Sequence, residues 1–341
     1  MVHIGKVQLD APFFQAGLAG YSDAAMRLVA RRHGAPFCVT EAMLDVFLLN
    51  GGKGLAAAEL DDADHPIAGQ LMGSHPDQIA QAARILVDLG YDVIDVNLAC
   101  PVKKIRRKCR GGHLLEAPQE AIAVLDAVRQ AVGNERPCTV KLRRGSDDSP
   151  QSEASFHRIF QSVIDLGYAG AVVHGRTVEQ KYKGPARWSF LADLVNRYGD
   201  TSGFFIGGSG DVYEASDVAA MLRQTGVALV SVARGCIGNP WIFQQIRSML
   251  AGDEQAARRG PTITQQRQVL LEHFELSVKL YGERKASMMM RKFGIKFSRQ
   301  HPQPDDVSRA FIAVKSLEDW REVLDRHYAK ERAEPQPVVA A

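Results

Sequence analysis

The residues best suited to chemistry lie where a short apolar run, Val93-Ile94-Asp95-Val96, ends in Asn97-Leu98-Ala99-Cys100-Pro101 and passes into Val102-Lys103-Lys104. The pattern reads as a buried strand that delivers a thiol to the edge of a site. A thiol can release a proton near neutral pH and leave a tolerable thiolate, which makes Cys100 the candidate acid. Cysteine is more often a small buried hydrophobe, and a Cys-Pro dipeptide alone carries little weight. Its surroundings carry more, because six of the eight residues from Lys103 to Arg110 are cationic. In isolation a charge run is as readily a solvated face; beside a candidate catalytic thiol it points to a polyanionic substrate held by its backbone.

Such a thiol needs a scaffold. Strand-like runs occur at 13–19, 37–41, 67–71, 93–98, 138–142, 171–174, 204–207 and 229–233, most of them separated by stretches with helical spacing such as 76–89 and 118–132. Ser22 or Asp23 can cap a helix beginning at Ala24. Eight apolar strands alternating with helices predict an α/β fold, a parallel (β/α)8 TIM barrel. The rival is an open doubly wound sheet, but Gly207-Gly208-Ser209-Gly210 comes seventh and lacks the spacing of a dinucleotide loop.

In a barrel the reacting groups stand where strands end. Those ends carry Gly17-Leu18-Ala19, Glu41, Gln70, Asn97 with Cys100, Lys141 with Arg143, His174 with Arg176, Ser209-Gly210-Asp211 and Ala233-Arg234. One such polar residue is usually a satisfied rim group; so many together imply a ligand with several hydrogen-bonding edges. The glycine-rich loops after the seventh and eighth strands suit a phosphate, although they also serve as tight turns. A phosphate there and polar groups around the mouth fit a flavin mononucleotide, with Gln70 at the polar edge of the ring and Lys141 near N1 and O2.

The totals set limits. The chain has 341 residues, 45% of them apolar and 24% charged, as in a well-cored globular protein. No apolar run approaches the roughly 18 residues of a membrane span, and the first residues lack the apolar core of a signal peptide, so a cytoplasmic protein without membrane partners is expected. The five cysteines are scattered with no Cys-x-x-Cys pair, which predicts free thiols and no metal site. A net charge of +3 does not argue for nucleic acid by itself. The expected division is a catalytic barrel at 1–250, a linker at 251–261, a small helical bundle at 262–329 and a disordered tail at 330–341. The bundle carries Lys279, Arg284, Lys285, Arg291, Lys292, Lys296 and Arg299 with Phe293 and Phe297 interleaved, a composition suited to a phosphate backbone as well as to a basic surface helix.

From about Ile4 to Tyr328 the sequence resembles the tRNA-dihydrouridine synthases, most closely their bacterial B-type branch. The resemblance rests on Asn97-Leu98-Ala99-Cys100-Pro101 with Lys103-Lys104 and Gly111-Gly112-His113-Leu114-Leu115, on Val140-Lys141-Leu142-Arg143, on His174-Gly175-Arg176-Thr177, and on Gly238-Asn239-Pro240-Trp241-Ile242-Phe243. It implies an FMN-binding barrel followed by a tRNA-binding helical domain, which reduces the C5–C6 double bond of selected uridines with NADPH as reductant. By the same resemblance Cys100 gives the proton to C5, and Asn97 meets a uracil flipped out of its stack. Gln70, Lys141 and His174 then contact the flavin, as do Gly17, Leu18 and Ala19; Ser209, Gly210, Asp211, Ala233 and Arg234 form the phosphate corner. Arg143 and Arg176 orient flavin or substrate, while Lys103, Lys104, Arg291 and Lys292 meet tRNA.

Three departures touch the flavin contacts. Gly17-Leu18 stands where the family has Pro-Met, Ser209-Gly210-Asp211 where it has Asn-Gly-Asp, and Ala233-Arg234 where it has Gly-Arg. Two alternatives remain at this level, a flavin barrel reducing a free pyrimidine, as dihydroorotate dehydrogenases do, and an RNA-binding module without flavin. A monomer is the expectation.

Overall fold

The computed structural model describes residues 1–102 and 110–329. Lys103, Lys104 and Cys109, with the tail from Lys330, lie outside the described residues. In chain order the strands are β1 (Val2–Ile4), β2 (Val7–Leu9), β3 (Phe13–Gln15), β4 (Cys38–Val39), β5 (Met43–Leu44), β6 (Ile67–Met72), β7 (Val93–Leu98), β8 (Cys138–Arg143), β9 (Gly170–His174), β10 (Phe205–Ser209) and β11 (Leu229–Val232).

Strands β3, β4 and β6 to β11 pair in parallel, each with its successor, and β11 returns to β3 to close an eight-stranded barrel. Each of the eight predicted apolar runs overlaps one of these strands. The first two strands are shorter than expected, β3 stopping at Gln15 and β4 at Val39. Beyond Gln15 the chain turns, with the Leu18 N–H donating to Ser22 Oγ at 2.8 Å and the Leu18 carbonyl accepting from the Tyr21 and Ser22 N–H groups. Asp23 caps the helix Ala24–Arg32 by accepting from Met26 N–H at 3.0 Å.

The residues ahead of the first predicted strand form the antiparallel hairpin β1–β2. Ile4 and Leu9 from this hairpin pack with Phe14, Phe37, Val93, Phe205 and Leu229 as one buried cluster inside the barrel. Each such side chain adds about 1.5–3 kcal/mol of burial and seals the lower end against water. The alternation of Val2, Ile4, Val7 and Leu9 around a Gly-Lys turn was the available signal.

Helices Ile263–Tyr281, Glu283–Phe297, Pro304–Ala313 and Leu317–His327 follow the barrel. Thr262 and Gln265 form a reciprocal cap at the start of the first, and Trp320 packs on Phe274 and Phe311 at ring separations of 5.2 and 4.9 Å. The segment at 251–261 is not a free linker: it contains the short helix Glu254–Ala257, buries Ala257 and offers the Arg259 carbonyl to Gln245 Nε2 at 3.0 Å. Phe297 meets Trp241 edge-on at 5.8 Å, and helix Ile263–Tyr281 packs on helix Ala24–Arg32, so the helical region rests on the side of the barrel. Among the described residues no helix is long and apolar enough to cross a membrane.

Candidate active site

A cavity of about 260 Å³ opens at the C-terminal ends of the barrel strands and descends to Ile4 of the hairpin. The strand pleat decides which side chains reach it, because residues two apart share a face. On β7 these are Asp95 and Asn97, and on β8 Thr139, Lys141 and Arg143; all five line the cavity. Register places Gln70 beside Asp95, Asp95 beside Thr139, Asn97 beside Lys141, and Arg143 beside His174.

These neighbours form one hydrogen-bonded row. Asn97 Nδ2 donates to Gln70 Oε1 at 2.6 Å, Gln70 Nε2 donates to Asp95 Oδ2 at 2.8 Å, and Thr139 Oγ1 donates to Asp95 Oδ1 at 2.6 Å. Burial raises the Asp95 carboxyl above its ordinary range, against the pull of these donors and of Lys141. The Asn97 Oδ1 turns back and accepts from the Ala99 and Cys100 N–H groups, both at 3.0 Å. Asn97 therefore shapes the turn that presents the thiol. Cys100 is a partly exposed free thiol lining the cavity.

Lys141 is the electrostatic centre. Its Nζ is buried and has no hydrogen-bond partner, and burial first, then repulsion from Arg143, brings it down to about 7 against the attraction of Asp95. His174 is held neutral, lowered to about 2 by burial and by the cations Lys141, Arg143, Arg176 and Arg234. Its Nδ1 accepts from the Arg176 N–H at 3.1 Å, which leaves the proton on Nε2 and makes that nitrogen a donor. Ser231 adds a second buried, unpartnered group, its Oγ, to the cavity wall. An orphaned ammonium, a neutral ring donor and an orphaned hydroxyl around one cavity fit a bound group rich in acceptors, as the polar edge of a flavin is.

The cavity also takes Gly17, Leu18, Ala19, Gln70, Ser209, Ala233 and Arg234. Gly210 and Asp211, also expected there, are not part of this lining. The Asp211 carboxylate accepts from Arg176 at 2.6 and 2.8 Å and from the Ala186 N–H at 2.7 Å, and it stands 3.7 Å from Arg234. It therefore holds Arg176 directly and lies beside Arg234. Arg234 lies 5.0 Å from the ring centres of Tyr182 and Tyr213 and keeps about a third of its side chain exposed.

Arg143 and Arg176 are spent largely on backbone. Arg143 donates to the carbonyls of Ala99, Thr177 and Lys181, each at 2.8 Å, and lies 5.7 Å from the Tyr182 ring. Arg176 holds the Gly184 carbonyl as well as Asp211. Arg291 and Lys292 lie outside the cavity, on helix Glu283–Phe297. The Lys292 ammonium donates to the Gly20 carbonyl.

Sequence reasoning passed over Asp95, Thr139, Ser231 and Tyr182. The period of two was the signal for the first two: Asp95 precedes Asn97, and Thr139 precedes Lys141, by one pleat. It also missed the buried pair that anchors the far side of the basic run, where Arg110 donates to Asp45 Oδ1 at 3.0 Å.

Comparison with known proteins agrees with this geometry. Residues 14–333 match the family described as Dihydrouridine synthase. The chain is 31% identical over 328 residues to a tRNA-dihydrouridine synthase B of Xanthomonas axonopodis pv. citri, covering 96% of this chain and 95% of the relative. It is 30% identical to a probable tRNA-dihydrouridine synthase of Treponema pallidum, covering 95% of each. The barrel also resembles, in fold alone, a histamine dehydrogenase from Rhizobium (TM-score 0.57, 16% identity, 81% of this chain and 50% of that one). A morphinone reductase variant in complex with tetrahydroNAD gives a TM-score of 0.52 at 17% identity, covering 74% of this chain and 90% of that one. The chain belongs to the dihydrouridine synthase family of flavin-dependent oxidoreductases.

Proposed function

We propose that the protein reduces the C5–C6 double bond of uridines in tRNA, with FMN as its resident cofactor and NADPH as reductant. The observation that carries this reading is the buried, unpartnered Lys141 ammonium in a cavity whose rim bears the free thiol of Cys100. Lys141 and the His174 Nε2–H would hold the acceptor edge of the flavin ring, and Gln70 would meet it from β6, two strands from Lys141. Gly17, Leu18 and Ala19 would bound the ring, while Ser209, Gly210, Ala233 and Arg234 would take the phosphate, with Asp211 beside Arg234. When bound, FMN supplies the hydride for C6 of the uracil.

The remaining steps belong to the chain. The uracil must leave its stack to enter the cavity. Asn97 holds the Ala99-Cys100 turn, so that the thiol faces the cavity and can give its proton to C5 as C6 is reduced. Arg143, fixed by three carbonyls, holds the Ala99 end of that turn and so the position of the thiol. Lys103, Lys104 and Arg291 are the proposed phosphate contacts of the tRNA.

Dihydrouridine formation on unmodified tRNA transcripts with FMN and NADPH tests the reading, with Cys100→Ala as the comparison. The wild type should form dihydrouridine while Cys100→Ala binds tRNA and turns over at least about a hundredfold more slowly. A wild type that carries flavin, ignores tRNA and reduces a free pyrimidine would overturn it.

A further inference from the structure

The loop after β3 lines the cavity through Gly17, Leu18 and Ala19, and its internal hydrogen bonds join Leu18 to Tyr21 and Ser22, while the N–H and carbonyl of Gly20 turn to partners outside the loop. It carries glycine at both ends, Gly17 and Gly20. A Cβ on Gly17 would stand 2.3 Å from the Thr40 carbonyl oxygen, so glycine lets this loop lie directly against the end of β4. Gly20 adopts φ +75. Both positions give the unfolded chain more conformations than most residues would, so ordering this loop costs more than ordering one without them.

Both polar groups of Gly20 are held by full charges. Its N–H donates to Glu41 Oε2 at 2.6 Å, from the residue just past β4. Its carbonyl accepts from the Lys292 ammonium, which comes from helix Glu283–Phe297. Lys292 is itself seated, 4.9 Å from the ring centre of Tyr21 and 5.3 Å from that of Phe293, and these two rings meet edge-on at 5.5 Å. A second tie runs beside it, with the Tyr281 hydroxyl donating to Asp23 Oδ2 at 3.1 Å. The barrel thus grips the loop by its N–H and the helical region grips it by its carbonyl.

We propose that Lys292 is a positioning residue for the cofactor cavity: with Glu41 it clamps Gly20 from opposite sides and sets the Gly17–Gly20 loop in its flavin-binding form. The proposal rests on the reading that the cavity takes a flavin. It changes the part given to Lys292, from a contact with tRNA phosphate to the link by which the helical region supports the cavity. Because coupling between sites is reciprocal, whatever docks the helical region more firmly should tighten flavin binding, and flavin should rigidify the contact at Tyr21.

Lys292→Met keeps the length of the stem and removes the donor. Three measurements apply to it: hydrogen exchange of the Leu18 to Ser22 amides in the flavin-free protein, FMN affinity by fluorescence titration, and the salt dependence of tRNA binding. The clamp predicts faster exchange at Gly20, an FMN dissociation constant raised about tenfold through loss of one charge-assisted hydrogen bond, and an unchanged salt slope. Lys292→Arg, which keeps the charge and a donor, should restore most of the affinity. Unchanged loop exchange and unchanged FMN affinity overturn the proposal, and a salt slope lower by about one then returns Lys292 to the phosphate backbone. If the wild type takes up no FMN the flavin reading fails on its own, and the exchange of the loop amides still decides for or against the clamp.

Discussion

Arg143 donates from Nε to the carbonyl of Ala99 at 2.8 Å, one residue before the thiol of Cys100. The same guanidinium reaches across to the Thr177 and Lys181 carbonyls, so a single side chain ties the loop after β7 to the loop after β9. Its planar fork suits this task, because it offers several donors in fixed directions.

Replacing Arg143 by Met should therefore misplace the thiol without emptying the cavity. We expect dihydrouridine formation to fall by about a hundredfold, the usual cost of a small misplacement of a reacting group, while NADPH still reduces the bound flavin. Arg143→Lys should restore little, since one ammonium cannot satisfy three separated carbonyls. Stopped-flow absorbance of the two half-reactions checks this: equal losses in both would mean that Arg143 serves the flavin and not the turn.

The buried pair Asp45–Arg110 predicts an effect on stability. Asp45 heads the short helix Asp45–Leu49, and Arg110 closes the basic run that begins at Lys103. Both side chains are almost fully buried. Asp45→Asn would leave the guanidinium buried without its counter-charge, and breaking such a pair costs about 3–5 kcal/mol. Urea denaturation should show that loss as a lower midpoint with an unchanged slope. Asp45→Asn combined with Arg110→Met should recover part of it, whereas strictly additive losses would show that the pair does not act as a unit.

The fold was legible because each barrel strand is an apolar run with polar residues at its end, and parallel buried strands write themselves that way. Lys141 and His174 could be found for the same reason: they follow Cys138-Thr139-Val140 and Ala171-Val172-Val173 directly. Asp95 was not, because a carboxylate inside an apolar run reads as an interruption until its partners on β6 and β8 are known. The roles of Arg143, Arg176 and Asp211 were hidden for a different reason. Their chemistry suits ligands, but what they hold is backbone at 99 and 177–186, or each other, and sequence does not say which carbonyls a guanidinium will find. Lys292 looked like one cation among seven until the fold brought it to Gly20, 272 residues away in sequence.

Lys141 makes the apparent affinity for flavin depend on pH in a defined window. Burial, with repulsion from Arg143, holds its ammonium at about 7 in the flavin-free protein. An unfolded lysine keeps its proton to about 10.4, so between those values the unfolded chain binds more protons and this residue makes the folded protein gain stability as pH rises. Below about 7 its penalty is constant. The flavin-free Lys141→Met protein should accordingly be more stable than wild type at pH 7, with the gap closing toward pH 10. An acceptor-rich ring edge at Nζ favours the protonated amine and raises its pKa in the complex. FMN affinity should then be full below about 7 and fall by up to about tenfold per pH unit above it, until the complex itself titrates. The flavin phosphate ionises near 6 and is already charged throughout that range. Fluorescence titration of FMN from pH 6.5 to 9 measures the slope. Lys141→Met should bind FMN more weakly and without that slope. A wild-type affinity that stays flat across the window would mean that Lys141 does not face the flavin, and that its orphaned ammonium serves the uracil instead.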